Sequence, residues 1–260
     1  MCELLGLCFN KAVSVHLAFS GLKAGATENP DGWGVAWYTA DGFQLVKEAR
    51  PVDRSPLATN FLQDLCARSR IFVSHIRRAT QGPPGYVNTH PFYRRLDRKT
   101  WVFAHNGTID TTRMHFPAGV FIPIGETDSE HLFCGLLSWL SRRAMQWEDP
   151  KSYRRLHEKL VEINRSGELN LIFSDGRRLF VYHDLSGHVG LHFLRRQAPY
   201  KVVRLRDQYL TINLAEIIDP LERGYLVASK PLSNENWKRV KRGQLLVFCE
   251  GRRVFTSESD

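Results

Sequence analysis

The sequence predicts a layered α+β protein, on three observations. Short apolar or β-branched segments recur from end to end, Gly and Pro break them at close intervals, and helical stretches fall in groups instead of alternating singly with strands. The first strand, over 2–9, rests on Leu4-Leu5-Gly6-Leu7. A less regular helical pattern over 13–22 follows, then strands over 33–38 and 43–47. A helix over 56–67 precedes strands over 70–75 and 100–105. The clearest helix, over 129–140, sets Leu132, Phe133, Leu136, Leu137 and Leu140 on one face. Another over 152–164 repeats the pattern with Leu156, Leu160, Val161 and Ile163. Strands over 169–173 and 179–182 flank Ser174-Asp175-Gly176-Arg177, whose Asp-Gly step signals a hairpin. Strands over 209–212, 225–228 and 244–248 complete the pattern. The longest irregular stretch is 110–125. No repeat, low-complexity tract or linker interrupts the chain, so a single domain over 1–260 is expected.

Composition narrows the function. At 260 residues with 43% hydrophobic and 11% aromatic content, the chain can bury a substantial core. The best apolar run, 132–140, is about half the length of a membrane span. Glu3 stands where a signal peptide would carry basic residues, so none is expected. The five cysteines, Cys2, Cys8, Cys66, Cys134 and Cys249, are odd in number and lack CxxC spacing. That argues against a disulfide framework and a structural zinc site, and for a reducing cytoplasm. The net charge of +9 raises a nucleic-acid reading, but the basic residues are mostly scattered doublets. Only Lys238-Arg239-Val240-Lys241-Arg242 concentrates them, as a solvated turn would. The expectation is no nucleic-acid partner and no membrane.

Chemistry is concentrated at four places. Cys2, once Met1 is removed, carries a thiol and a free α-amine on one carbon, which is a nucleophile and its base in one residue. In Ser74-His75-Ile76-Arg77-Arg78-Ala79-Thr80-Gln81-Gly82 a strand ends in arginines, Arg77 sharing a face with His75 and Arg78 taking the other. Such an arginine can hold a carboxylate bidentately. Phe103-Ala104-His105-Asn106-Gly107-Thr108 delivers a side-chain amide beside a glycine N–H, two donors suited to a developing oxyanion. Gly125-Glu126-Thr127-Asp128-Ser129-Glu130-His131 opens the clearest helix, with Thr127, Asp128 or Ser129 as N-cap, or with Asp128 facing a ligand ammonium. Taken singly, each segment also has an ordinary structural role: strand end, turn, surface arginine or cap. A metal site from His75, His90, His105, Asp128 and His131 is not supported, since no two have the spacing of a known zinc motif. The reading assigns no metal and no cofactor.

In order along the chain, Cys2, His75-Ile76-Arg77, Ala79-Thr80, Thr89-His90-Pro91, Ala104-His105-Asn106-Gly107 and Gly125-Glu126-Thr127-Asp128-Ser129-Glu130 resemble the motifs of class II glutamine amidotransferases, which are N-terminal nucleophile hydrolases. The resemblance is closest to the stand-alone YafJ-like group, through the Met-Cys-Glu-Leu-Leu-Gly opening, Asp31-Gly32-Trp33-Gly34, Pro231-Leu232 and Asn236-Trp237. It implies a four-layer αββα sandwich of two mainly antiparallel sheets. It further implies Cys2 as nucleophile on a glutamine side-chain carbonyl and Asn106 with Gly107 as oxyanion hole. Arg77, supported by Thr80, would hold the substrate α-carboxylate, and Asp128 its α-ammonium. Arg78 and Gln81 depart from the Trp and His of synthase-linked members. No residues remain for a synthase domain, so either an ammonia-accepting partner protein takes the ammonia or a γ-glutamyl amide is simply hydrolysed. If Met1 stays attached, the alternative is a catalytically silent glutamine-binding or partner-docking module. A basic nucleic-acid-binding protein is the third reading.

Overall fold

A computed structural model describes residues 1–24, 28–63, 67–116, 119–206 and 211–258. Strand β1 (Glu3–Ser14) leads through α1 (His16–Ala24) to the hairpin β2 (Trp33–Thr39) and β3 (Gly42–Glu48), then through α2 (Pro56–Gln63) to β4 (Arg68–Ile76). The hairpin β5 (Phe92–Leu96) and β6 (Lys99–Asn106) precedes the helix pair α3 (Asp128–Ser141) and α4 (Pro150–Asn164). A third hairpin, β7 (Asn170–Ser174) and β8 (Arg178–Tyr182), is followed by β9 (His192–Gln197), β10 (Val202–Arg204), β11 (Thr211–Asn213) and the short α5 (Leu214–Ile217). Strands β12 (Arg223–Ala228), β13 (Lys238–Arg239), β14 (Leu245–Cys249) and β15 (Arg252–Thr256) complete the described elements.

Among the described residues, the strands form a seven-stranded sheet ordered β13-β9-β12-β1-β4-β2-β3 and a six-stranded sheet ordered β15-β14-β8-β7-β6-β5, with β10 and β11 paired separately. All pairings within the two large sheets are antiparallel. Alternation along each strand sorts its side chains into layers. Leu5, Leu7 and Phe9 of β1 join Phe19, Leu22 and Phe61 of α1 and α2 on one outer face. Leu4 and Cys8 face inward and meet Ala104, Ile172, Val181 and Leu246 of the second sheet. On the far side, Trp101, Phe103, Phe173 and Phe180 pack under Leu132, Phe133, Leu136, Leu156 and Leu160 of α3 and α4. Two antiparallel sheets thus lie face to face between two helical layers, the four-layer α+β sandwich expected from the resemblance.

The sheets meet most closely at Gly6. A Cβ there would lie 2.9 Å from Ile172 Cγ2 and 3.1 Å from Leu179 Cδ2. Gly6→Leu is therefore expected to overpack the interface and cost about 1–3 kcal/mol, read as a lowered midpoint in thermal unfolding.

Several sequence expectations shift. Val13 and Ser14 finish β1, across a register shift between Cys8 and Val13, so the helix expected over 13–22 starts only at His16. The helix expected over 56–67 ends its described part at Gln63; residues 64–66, with Cys66, lie outside the described residues. Of the strand expected over 209–212, residues 209 and 210 also lie outside them, while β11 covers Thr211–Asn213. β5, β9, β10, β13, β15 and the short α5 were not expected. β5, β13 and β15 are sheet edges and β9 has only the two-residue β13 beyond it, and edge strands carry charges that blur the apolar alternation. The hairpin around Asp175-Gly176 forms as expected: Asp175 Oδ1 accepts Arg177 N–H at 3.1 Å and Arg178 N–H at 2.7 Å, and Gly176 adopts φ +87°.

Candidate active site

Parity within the strands brings the site together. Inward residues Leu4 of β1, Val73 of β4, and Val102 and Ala104 of β6 share the layer between the sheets. Counting by twos, Cys2, His75, Arg77 and Asn106 point into that same layer. Glu3 pairs with Ile76 in the register, so the start of β1 lies beside the end of β4. The neighbouring β12 secures that start: Leu4 N–H donates to Ser229 Oγ at 2.8 Å, and Ser229 N–H to Leu4 O at 3.1 Å.

Cys2 is held on both sides. Its Sγ accepts from Arg78 N–H and donates to Arg78 O, each at 3.2 Å. Burial pushes the thiol's pKa up; the Arg78 N–H, the chain's terminal ammonium and the Arg77 guanidinium pull it back in part. One Nδ2 hydrogen of Asn106 goes to the Cys2 carbonyl at 2.7 Å. An amide nitrogen has two hydrogens, so a second donor remains beside Cys2. Gly107 follows with φ +154°, and a Cβ there would lie 2.2 Å from the Glu168 carbonyl oxygen. Only glycine fits both the conformation and the space.

Arg77 is buried, and its guanidinium donates to the carbonyls of Gln81 and Gly82 at 2.9 Å and of Pro83 at 3.3 Å. The expected carboxylate clamp is thus also the post around which the following loop winds. Burial lowers its pKa, and the nearby charges of Asp31, Cys2 and Asp128 oppose that shift. Thr80 is exposed and meets Thr108 Oγ1 at 3.3 Å, which ties this loop to the segment after Gly107. The side chains of Arg78 and Gln81 are exposed at the same loop.

Asp128 is the first residue of α3, and Thr127 is the N-cap, its side chain accepting from Glu130 N–H at 3.2 Å. The Asp128 carboxylate is buried and accepts Ile109 N–H at 2.7 Å, with Ser129 Oγ 3.4 Å away. His105 lies in the same network, with Nε2 donating to the Glu168 carbonyl at 3.0 Å and Nδ1 accepting from Ser129 Oγ at 2.9 Å. His75 donates through Nε2 to the His105 carbonyl at 3.1 Å, and its ring centre lies 4.2 Å from that of His90, the rings tilted by 33°. His131 is exposed on the other face of α3. Among the described residues no three His, Cys, Asp or Glu side chains converge as a metal site would require.

The sequence reading missed Asp31 as a site residue. Its carboxylate accepts Ala79 N–H at 2.7 Å, while Arg77 N–H donates to Gly32 O at 2.7 Å and Asp31 N–H to Arg77 O at 3.1 Å. Asp31-Gly32 therefore straps the loop that carries Arg77 and Arg78. The signal was Gly32 itself, whose φ is +134° and where an added Cβ would lie 2.8 Å from Thr89 Oγ1.

A family model for class II glutamine amidotransferases matches residues 1–260. The chain belongs to the class II glutamine amidotransferases. Among relatives of this amidotransferase, an uncharacterized Methanocaldococcus jannaschii protein is 41% identical over 259 residues, covering 99% of this chain and 72% of its own. YafJ of Escherichia coli, provisionally named a glutamine amidotransferase, is 35% identical over 260 residues, covering 98% of this chain and 100% of its own. Among solved structures, a predicted glutamine amidotransferase of Pseudomonas aeruginosa aligns with a TM-score of 0.71 at 27% identity, over 98% of this chain and 100% of that one. The glutamine phosphoribosylpyrophosphate amidotransferase of Bacillus subtilis aligns with a TM-score of 0.63 at 15% identity, over 98% of this chain and 49% of its own. At that identity it speaks for the N-terminal nucleophile hydrolase fold alone.

Proposed function

We propose that this amidotransferase hydrolyses the side-chain amide of glutamine, or of another γ-glutamyl compound, through a thioester on Cys2. The observation that carries the reading is one convergence: Cys2 Sγ is pinned by the Arg78 backbone while the Cys2 carbonyl takes the Asn106 amide at 2.7 Å. Thiol and donor therefore meet where a carbonyl carbon could sit within reach of both.

With Met1 removed, the α-amine takes the thiol proton and Cys2 Sγ attacks the γ-carbonyl. The free Asn106 Nδ2–H and the Gly107 N–H hold the resulting oxyanion. Collapse expels ammonia or an amine, which recovers the proton from the α-ammonium and leaves a γ-glutamyl thioester. Water, giving its proton to the same amine, then releases glutamate. Once Met1 is removed the α-ammonium sits one bond from Cα of Cys2 and favours the thiolate, against the burial that raises the thiol. In this reading Arg77 and Thr80 serve the substrate α-carboxylate and Asp128 the α-ammonium, while the same side chains fix the surrounding loops. The nitrogen leaves to solution; an ammonia-accepting partner protein is its alternative fate. Residues 1–260 are read as one domain because the inter-sheet core draws on strands from Leu4 to Phe248. The free state of Cys2, Cys8, Cys134 and Cys249 fits a reducing cytoplasm.

An electrophilic glutamine analogue should add one label to Met1-free protein, mapped by mass spectrometry to Cys2. A processed protein that takes no label and hydrolyses no γ-glutamyl amide overturns the proposal. Asn106→Ala should lower kcat about 10²–10³-fold with a smaller change in KM, measured as ammonia or amine release.

A further inference from the structure

The sandwich has a concave site remote from Cys2. Where β9 and β12 of the first sheet face the β14–β15 hairpin of the second, two adjoining clefts of about 460 and 510 Å³ share Arg195, Gln197, Tyr225 and Arg253 in their walls. The register sets Arg195 beside Tyr225, and Tyr225 beside Cys8, about 20 Å along β1 from Cys2.

The walls are almost uniformly cationic. Arg195, Arg223, Arg252, Arg253, Lys201 and Lys238 line them, from both sheets and the connections between. None of these six makes an ion pair among the described residues. The described carboxylate in the walls, Glu235, is already committed to Arg196, with Arg196 Nε–H donating to Oε1 at 3.2 Å. The floor is aromatic: Tyr225 stacks 4.4 Å from Phe248, and Phe193 lies 6.3 Å from Phe248 with the Arg253 guanidinium over its face.

Edge-strand protection does not account for this arrangement. Charges that guard an edge point outward along it. Here Arg195 and Arg223 continue the inward-facing rows of Phe193 and Tyr225, and Arg252 and Arg253 approach from the opposite sheet. Like charges gathered in a concavity repel unless something anionic joins them, and low-dielectric walls concentrate their field. Guanidinium groups are the side chains best fitted to phosphate oxygens.

We propose that this cleft binds a small phosphorylated anion carrying more than one negative charge, with its uncharged portion over the aromatic floor. The site is independent of the thioester chemistry at Cys2. The probes are inorganic pyrophosphate, ATP and citrate, titrated into the full chain by calorimetry at low and physiological ionic strength, with a polyuridylate series of increasing length.

Pyrophosphate and ATP should each bind saturably, one per chain, and more tightly than citrate. Arg195→Gln with Arg252→Gln, a pair that leaves the aromatic floor in place, should weaken both by about tenfold or more. Thermal midpoint without ligand should hold or rise as the repulsion is relieved, and hydrolysis of γ-glutamyl amides should not change. Four results overturn the proposal: no saturable binding of either phosphate compound at low salt, affinities untouched by the double substitution, citrate bound as tightly as pyrophosphate, or affinity that climbs with polyuridylate length past any that ATP reaches. The last would reassign the cleft to an extended polyanion.

Discussion

Cys2→Ala, assayed after removal of Met1, is expected to release no ammonia or amine from γ-glutamyl substrates above the buffer background, a loss of about 10³-fold or more. The size follows from the chemistry assigned to the residue. A deleted nucleophile removes the covalent route outright, and the remaining donors can at most polarise a carbonyl that nothing attacks. The structure supplies a control for folding. Cys2→Ala removes one small side chain whose hydrogen bonds go to the Arg78 backbone, so it should keep nearly the full thermal midpoint. Wild-type protein that retains Met1 should be as silent as Cys2→Ala, because burial holds the thiol protonated and the amine that would take its proton is locked in a peptide bond. Trimming Met1 with an aminopeptidase should then restore turnover to the wild type and not to the variant. Activity in Met1-retaining protein equal to that of trimmed protein would sink the amine's role as base. Activity in Cys2→Ala would sink the mechanism.

Much of this site was legible in sequence because strand parity is. Cys2, Arg77 and Asn106 fall on the inward rows that Leu4, Val73 and Ala104 establish, so hydrophobic alternation already aims them at one layer. Gly107 was legible for a related reason: a strand that ends in Asn-Gly needs the glycine's freedom, and the Glu168 carbonyl shows why. The anchoring of Arg77 was not. Its partners are the carbonyls of residues 81–83, and backbone acceptors leave no trace in residue identity. Asp31 escaped for the opposite reason: its carboxylate serves a backbone N–H that any residue at position 79 would offer. At the periphery, Phe92–Leu96 is a strand whose arginines suit an exposed edge, and in Arg252–Thr256 two adjacent arginines hide the pairing that the neighbouring strand decides.

Lowering the pH below about 6.5 should unfold this protein steeply, because His75 and His90 are buried as neutral rings. His75 is fully enclosed, with its pKa pushed down to about 3 by burial against only one hydrogen bond, to the His105 carbonyl. His90, packed between the His75 ring and Phe92 at 4.4 Å, is pushed well below the usual range, and neither of its ring nitrogens has a protein partner among the described residues. Their neighbours supply no rescue, since the charged groups that act on the pair, Arg77 and Lys47, are cationic and oppose a further proton. Folded pKa values below the unfolded one mean that the unfolded chain takes up protons the folded chain refuses. The stabilisation is therefore complete above the unfolded value and drains away as pH falls toward the folded values. Full protonation of both residues in the unfolded state alone costs roughly 3 kcal/mol per pH unit, so two units remove about 5 kcal/mol, the lower end of a typical domain stability. Urea unfolding between pH 7 and 4.5 measures the slope directly. His75→Gln, which keeps a donor for the His105 carbonyl, combined with His90→Leu should flatten the decline between pH 6.5 and 5, even where it lowers the starting stability; His105 and His192, also held low by burial, carry the remainder. An unchanged slope in that double variant would move the acid sensitivity to other groups and leave the buried pair without a part in it.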